Sequence, residues 1–400
     1  MHALSVRAIL VLALLSAVAP FAIDMYLPGF PSMAVDLGAS AATIQMTLTS
    51  FLLGLALGQL VFGPLSDQFG RRKPLLIGIG VGIVSSLLCI IAPTVEVLLA
   101  LRLVQGLGGA AGVVLARAII ADRTTDAASS ARLFQIMMMI GGIAPAIAPI
   151  VGTGVVGLGG WRLVFAVLAL LCVLCFVGAY RVLDESHPAE RRTKGGFSTM
   201  FRNMGSLFRN RAYIGYILTT GFSFMVLFGY IAASPFVFQE VMGLSSLAYS
   251  VVFGVNAVGL VAFSAISAKL VGRVSPRRLT VWGLGLIGAS SFVLVLGLLL
   301  NLGDVLILPC VFLAVGALGL IFGNASALAI SQAPHYAGTA SAVLGATQFC
   351  LGAFASPLVG LGGKDTAMPM ALTMLAATIC AALCLALVAK KTKSVSMQSV

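Results

Sequence analysis

Apolar residues run through this chain in long stretches that are separated by short polar segments. A helix needs roughly 20 apolar residues to cross the hydrocarbon core of a bilayer. The pattern predicts about twelve such helices, called spans 1 to 12 in chain order. They are expected near residues 7–30, 42–63, 75–92, 97–120, 134–157, 162–182, 213–237, 247–270, 280–301, 305–328, 338–361 and 368–389. We therefore predict an all-α integral membrane protein.

Composition supports this class. Of the 400 residues, 60% are hydrophobic and only 9% are charged, whereas soluble domains are about half apolar and one quarter charged. The net charge of +12 is typical of some nucleic-acid-binding proteins, but here the basic residues form short clusters between the apolar stretches. The expected environment is a lipid bilayer, and no nucleic-acid partner is expected.

The polar segment 63–74, GPLSDQFGRRKP, determines the predicted orientation. Gly63, Pro64 and Gly70 favour a tight turn between spans 2 and 3. The basic run at 71–73 marks the cytoplasmic side, because cytoplasmic loops carry an excess of Lys and Arg. With both termini in the cytoplasm, most of the 24 lysines and arginines fall on that side. We expect a multi-pass protein of the bacterial inner membrane.

The longest hydrophilic stretch, 184–211, divides the chain into two halves of six spans, 1–183 and 212–400. A Gly-Arg pattern at 70–72 recurs at 272–278, which favours two six-helix pseudo-repeats joined by a cytoplasmic linker. A basic inner loop in each half would also explain this weak repetition.

The first apolar stretch has an alternative interpretation as a secretory signal. Arg7 precedes it, and Ala-Val-Ala at 17–19 resembles a cleavage site. Pro20 follows this site directly, and the apolar stretch continues to Phe30. We predict that the stretch is retained as span 1.

Asp24 is the only one of the 12 acidic residues predicted to lie within a span. A charged side chain at membrane depth costs on the order of 2.5 to 3.5 kcal/mol, so it usually lines a transport pathway or has a charged partner. Pro20 and Pro28 each remove a backbone hydrogen bond nearby, and such gaps are tolerated only against protein or a wet cavity. Asp24 is therefore a candidate proton carrier. The alternative is that it caps a helix at the outer interface.

Arg102 in span 4 is the candidate opposing charge. An arginine does not lose its proton, so it can stabilise an ionised carboxylate or polarise a substrate carbonyl. The alternative is a static arginine that binds helix carbonyls. The sequence leaves open whether Arg102 contacts Asp24.

Several motifs carry a family resemblance. Residues 63–74 resemble the loop motif after the second helix of the major facilitator superfamily, and 101–106 (LRLVQG) resemble its intramembrane Arg-x-x-Gln-Gly motif. Residues 23–28 (IDMYLP), 221–224 (GFSF) and 334–341 (PHYAGTAS) are similar to the bicyclomycin/chloramphenicol-resistance (Bcr/CflA) branch of proton-driven drug exporters. Span 5 resembles the antiporter motif of the superfamily at Gly141, Gly142, Pro145, Pro149 and Gly152.

The resemblance implies roles for these motifs. Arg102 would take part in proton coupling, and the motif in span 5 would mark exchange of substrate against protons. From the residues alone, the small residues and prolines there favour a bent packing helix, and only the resemblance adds exchange. Asp67, Gly70, Arg71 and Arg72 would form a conformational latch on the cytoplasmic side, although Gln68 stands where the family commonly has Arg.

Aromatic and polar side chains within the spans are candidates for a substrate cavity that takes a medium-sized, partly apolar molecule. An aromatic stripe in a membrane helix also commonly faces lipid or fills packing space. The candidates are Tyr26, Gln45, Phe224, Phe228, Asn256, Asn324 and Gln348.

The sequence contains no phosphate-binding GxxxxGK[ST] loop and no cluster typical of a metal site or a nucleophile with its base. These observations argue against an ATP-driven pump and against an enzyme. We predict a monomeric, proton-coupled exporter of small drugs such as bicyclomycin or chloramphenicol, with no cofactor beyond the coupling proton. The alternatives are a transporter of a metabolite such as a nucleoside, amino acid or small peptide, and a receptor that does not transport.

Overall fold

The computed structural model describes residues 5–123, 127–192, 196–300, 302, 306–361 and 366–396. Within these ranges, the side chains of 127–142, 191, 196–199, 335 and 389–396 lie outside the description. Eleven helical segments of the described chain are long and apolar enough to cross a membrane. One of them, Ile143–Val182, is interrupted at Gly159 and Gly160, which have non-helical backbone angles, so it counts as two spans. The predicted all-α fold with about twelve spans is confirmed.

Most observed spans lie within a few residues of their predicted positions or have longer ends, whereas the α-helix of span 1 ends at Asp24, before the predicted end at Phe30. The interrupted helix Ala127–Val182 supplies spans 5 and 6, at 127–158 and 161–182. The other spans are Val6–Asp24, Ala41–Phe69, Arg72–Ile90, Val95–Arg123, Arg211–Phe236, Ser246–Leu270, Pro276–Leu299, Ile307–Ser331, Ala337–Gly360 and Met368–Ser396.

The predicted turn at 63–74 is shorter than expected. Gly63 and Pro64 lie inside span 2, whose helix continues to Phe69. The turn consists of Gly70 and Arg71. Gly70 has a φ of 88°, a backbone angle that favours glycine. The expectation that Gly63 and Pro64 belong to the turn was wrong, since a helix in a membrane protein tolerates a proline when neighbouring groups satisfy the backbone.

Polar caps begin several spans. Ser40 accepts a hydrogen bond from the backbone N–H of Thr43 at the start of span 2. Asn210 accepts from Ala212 and Tyr213 at the start of span 7. Such side chains satisfy N–H groups that have no partner within the helix.

The contacts divide the chain into two units. The first comprises Met1–Met200 with Ser245–Gly254, and the second comprises Phe201–Leu244 with Val255–Val400. Within the first unit, spans 2 and 4 pack backbone against backbone, because a Cβ at Gly106 would lie 2.0 Å from the carbonyl oxygen of Phe51. Within the second unit, span 7 packs against spans 10, 11 and 12.

Candidate functional site

Span 1 changes its backbone geometry at Asp24. The α-helix ends at this residue, and a short 3-10 turn at Leu27–Gly29 follows with Pro28 in it. Asp24 is only 2% exposed, and its Oδ1 has no hydrogen-bond partner among the described residues. The carboxyl group is therefore buried at a break in the span and does not cap a helix in solvent.

Arg102 holds the backbone of span 1 just before this break. Its side chain is completely buried, and Nη2 donates to the carbonyl oxygen of Ala22 at 2.9 Å. Nη1 donates to Oε1 of Gln105 at 2.5 Å. The guanidinium lies 4.3 Å from the ring centres of both Tyr26 and Phe51. Aromatic faces stabilise a desolvated cation, so these rings offset part of the cost of burying the charge.

The contacts of Arg102 extend to a third span. Nε2 of Gln105 donates to Oγ of Ser86 at 2.7 Å, so Ser86, Gln105 and Arg102 form a hydrogen-bonded chain from span 3 to span 1. A buried polar chain of this kind keeps each of its members in one orientation. The Gln of the Arg-x-x-Gln-Gly motif was visible in the sequence, whereas Phe51 and Ser86 had no signal there.

Asp24 and Arg102 are not paired with each other. The ion pairs among the described residues join Arg71 to Asp67 and Asp122, and Arg162 to Asp36. The guanidinium instead binds a carbonyl two residues before Asp24, and its Nε has no hydrogen-bond partner in the described chain. The contact resembles the static alternative, but it brings a fixed positive charge to the backbone segment that carries the buried acid.

Span 5 reaches the same break from another direction. A Cβ at Gly152 would lie 1.9 Å from the carbonyl oxygen of Met25, so only glycine allows this approach. Pro149 is buried, and its carbonyl accepts a hydrogen bond from Ser250 at 3.0 Å. Pro145 is half-buried, whereas Gly141 and Gly142 fall in the stretch whose side chains lie outside the description. The motif in span 5 therefore touches span 1 through Gly152.

The candidate cavity residues of the first unit are Tyr26 and Gln45, and both are buried. Tyr26 has no exposed surface, stacks on Arg102 and forms a 3.2 Å hydrogen bond with Thr47. Gln45 is also buried, and its Oε1 lacks a partner among the described residues. Tyr26 thus contacts the buried arginine directly.

The candidate phenylalanines of the second unit belong to one aromatic cluster. The ring centre of Phe224 lies 4.6 Å from that of Phe322, 5.8 Å from Phe349 and 6.1 Å from Phe228. Phe224, Phe322 and Phe349 are half-exposed, and Phe228 is buried. The cluster joins spans 7, 10 and 11.

The candidate amides of the second unit differ in their surroundings. Asn256 is buried and donates to the hydroxyl of Tyr230 at 3.0 Å. Asn324 donates to Ser267 at 2.7 Å and to the carbonyl of Leu320 at 2.9 Å, beside a 3-10 turn in span 10. Gln348 is half-buried. The bonds of Asn324 indicate a role in holding span 10 against span 8.

At the end of span 2, the predicted latch residues form a charged cluster. Arg71 donates to Asp67 at 2.5 Å, to Ser66 at 2.6 Å and to Asp122 at 2.9 Å. Arg72 donates to the carbonyl of Tyr180 at 2.6 Å. Gln68 does not prevent the Asp67 salt bridge, because Arg71 supplies the cation. Sequence reasoning missed Asp122, which lies in the last turn of span 4 and in the sequence is one of several acids in loops or near span ends.

Comparison with known proteins identifies the family. The model of the Major Facilitator Superfamily matches residues 12–357. The chain belongs to the major facilitator superfamily. It is therefore a multi-pass membrane transporter and not an enzyme.

Three relatives match most of the chain. An uncharacterized transporter of this type, YdgK from Bacillus subtilis, is 36% identical over 91% of this chain and 90% of its own length. A bicyclomycin resistance protein homolog from Haemophilus influenzae is 34% identical over 92% of both chains. A chloramphenicol resistance protein from Pseudomonas aeruginosa is 31% identical and covers 90% of this chain and 86% of its own.

A solved structure of the peptide transporter POT has a TM-score of 0.76 to this chain, covering 96% of this chain and 94% of that one. Its sequence identity is 14%, so the likeness shows the fold alone.

Proposed function

We propose that this transporter exports small, partly apolar drugs resembling bicyclomycin or chloramphenicol, in exchange for protons. The observation that carries the proposal is the position of Asp24, a buried acid at a break in span 1 with Arg102 and Gly152 on the neighbouring carbonyls. Two relatives are named for resistance to bicyclomycin and chloramphenicol, which supports drugs as the substrate class. The proposed site is the bacterial inner membrane, with both termini in the cytoplasm.

Asp24 is the proton carrier in this proposal. A buried carboxylate without a hydrogen-bond donor is costly, whereas the neutral acid is tolerated. Release of the proton creates a negative charge that needs a partner. Arg102 has a donor, Nε, without an acceptor in the described chain, and its position on Ala22 places it on the same backbone segment. The two charges then pair when Asp24 is ionised and separate when it is protonated.

Gly152 and Arg102 connect this proton step to helix movement. Arg102 in span 4 donates to the carbonyl of Ala22, and Gly152 in span 5 packs closely against the carbonyl of Met25. A change of charge at Asp24 therefore acts on two neighbouring helices, and a packed interface of this kind responds by moving between discrete arrangements. The half-exposed rings around Phe224 offer the drug an apolar surface in the second unit.

The test is drug-driven proton movement in proteoliposomes that contain the purified transporter and a pH-sensitive dye. Addition of chloramphenicol should dissipate a preformed pH gradient with wild-type protein. Asp24→Asn should abolish this signal while inserting normally, because an amide carries no exchangeable proton. Asp184→Asn is the matched control, since Asp184 has an exposed side chain on a loop, and it should behave as wild type.

Export at the wild-type rate by Asp24→Asn at several pH values would contradict the role of this residue. If chloramphenicol and bicyclomycin leave the gradient intact but a nucleoside, amino acid or small peptide dissipates it, the substrate class is wrong and the metabolite alternative takes its place.

A further inference from the structure

The loop between spans 2 and 3 is bound by a carboxylate that lies more than 100 residues away in the sequence. Oε1 of Glu185 accepts hydrogen bonds from the backbone N–H groups of Arg71 at 2.8 Å and His187 at 3.0 Å. Oε2 accepts from the N–H of Arg72 at 3.2 Å. Charge-assisted bonds of this type are stronger than neutral ones, so Glu185 orders the backbone at the start of span 3.

The loop and the carboxylate fit each other closely at Gly70. A Cβ at this position would lie 2.4 Å from Oε2 of Glu185 and 2.9 Å from a nitrogen of Arg192. The φ of 88° at Gly70 also excludes most side chains. The carboxylate therefore occupies the space that a side chain at residue 70 would need.

Further contacts hold the segment around Glu185 to span 4. Arg123 donates to the backbone carbonyl of Glu185 at 3.2 Å, and Oγ of Ser186 donates to Asp122 at 3.1 Å. Asp122 also accepts from Nε of Arg71. The carboxylate of Glu185 thus binds the backbone of Arg71. The hydroxyl of Ser186 binds Asp122, which is the side-chain partner of Arg71.

Electrostatics favour the ionised form of Glu185. Partial burial opposes ionisation, but the N–H groups of His187, Arg71 and Arg72 and the charge of Arg192 together hold the pKa of Glu185 below its usual value. A lowered pKa in the folded state means that the stabilisation is present above the unfolded value of about 4.3 and is lost as the pH falls through the folded pKa. At neutral pH the interaction is fully formed.

We infer that Glu185 is a positioning residue for the transport cycle. By fixing the backbone at 70–72, it aims Arg71 at Asp67 and Asp122, and so sets the rate at which the latch forms and releases. This inference rests on the proposed transport function, because it assigns the latch a part in turnover. Glu185 itself has no role in binding the drug.

The experiment combines hydrogen exchange with transport kinetics on the full-length protein in proteoliposomes. Glu185→Ala should raise amide exchange at Arg71 and Arg72 about tenfold, since each loses a charged acceptor. Turnover in the chloramphenicol-driven assay should fall roughly threefold to tenfold with an unchanged KM, which is the signature of a step other than binding. Glu185→Gln keeps one acceptor oxygen and should lie between Ala and wild type.

Glu190→Gln is the control, because Glu190 lies in the same segment and is exposed; it should change neither measurement. Hydrogen exchange elsewhere in the chain shows whether a variant has folded. If Glu185→Ala does not fold, Glu185→Gln is used to test the inference. Wild-type exchange at 70–72 in a folded variant, or faster exchange with wild-type turnover, would overturn the inference. Absence of drug–proton exchange in wild type would contradict the proposed function, whereas the hydrogen-exchange result would still decide whether Glu185 orders the loop.

Discussion

Replacement of Arg102 by lysine separates the charge of this residue from its shape. The guanidinium donates to Ala22 and Gln105 at the same time and contacts the rings of Tyr26 and Phe51. A lysine ammonium is a compact point charge without the planar fork, so it cannot reproduce both bonds and both stacking contacts.

The structure allows an estimate of the effect. A hydrogen bond to a charged group contributes about 1.5 to 3 kcal/mol, and loss of one partner leaves a buried acceptor unsatisfied. We therefore expect Arg102→Lys to lose about 2 kcal/mol of interaction free energy. This loss corresponds to a roughly 30-fold smaller population of the state in which residue 102 is bonded to the backbone of span 1. Turnover should fall by at least about tenfold, because a buried lysine can also lose its proton.

The assay is dissipation of a pH gradient by chloramphenicol, normalised to the amount of reconstituted protein. Arg117→Lys is the matched control, since Arg117 lies in the same span and has no hydrogen bond or ion pair with the other described residues, and it should retain most of the activity. Wild-type turnover in Arg102→Lys would refute the reasoning, because it would mean that charge alone is sufficient and that the two bonds of the fork have no part in coupling.

Two further substitutions test the contacts around span 1 and the latch. Gly152→Ala should lose transport and cost about 1 to 3 kcal/mol in stability, because its methyl group would collide with the carbonyl of Met25. Thermal unfolding checks this, and Gly154→Ala, which has open space at its Cβ, should be neutral; equal stability of the two variants would contradict the close approach. Asp67→Asn should slow turnover with near-normal drug binding, because it weakens the bond from Arg71; a variant defective only in binding would contradict the latch.

The sequence predicted the spans well because the bilayer sets their length. Roughly 20 apolar residues in a row have few other solutions, and the observed helices follow the predicted ranges. The errors lie at the ends. Pro64 was expected in a turn, but it lies inside the helix of span 2. A helix continues through a proline when neighbouring groups satisfy the carbonyl that the proline leaves without a partner. Local sequence carries no record of those neighbours.

The candidate site was predictable residue by residue but not as an arrangement. Asp24 and Arg102 stand out because a charge in an apolar stretch is costly. The sequence did not predict how the two residues are arranged, because Arg102 binds the backbone carbonyl of Ala22 and a backbone carbonyl has no sequence signature. Glu185 was hidden for the opposite reason. It is one of several acids in polar loops, and only the folded chain brings it to the N–H groups of Arg71 and Arg72.

The two motifs that meet span 1 do so within a few residues of each other, and this proximity has a consequence for coupling. Arg102 binds the carbonyl of Ala22, and Gly152 lies against the carbonyl of Met25, so Asp24 is situated between the two contacts. A shift of the backbone at Asp24 must strain or release both contacts, because neither has slack at these distances. Under the proposed mechanism, substitutions at Arg102 and Gly152 should therefore be non-additive in turnover. Additive effects in the double variant Arg102→Lys/Gly152→Ala would mean that spans 4 and 5 respond to Asp24 independently.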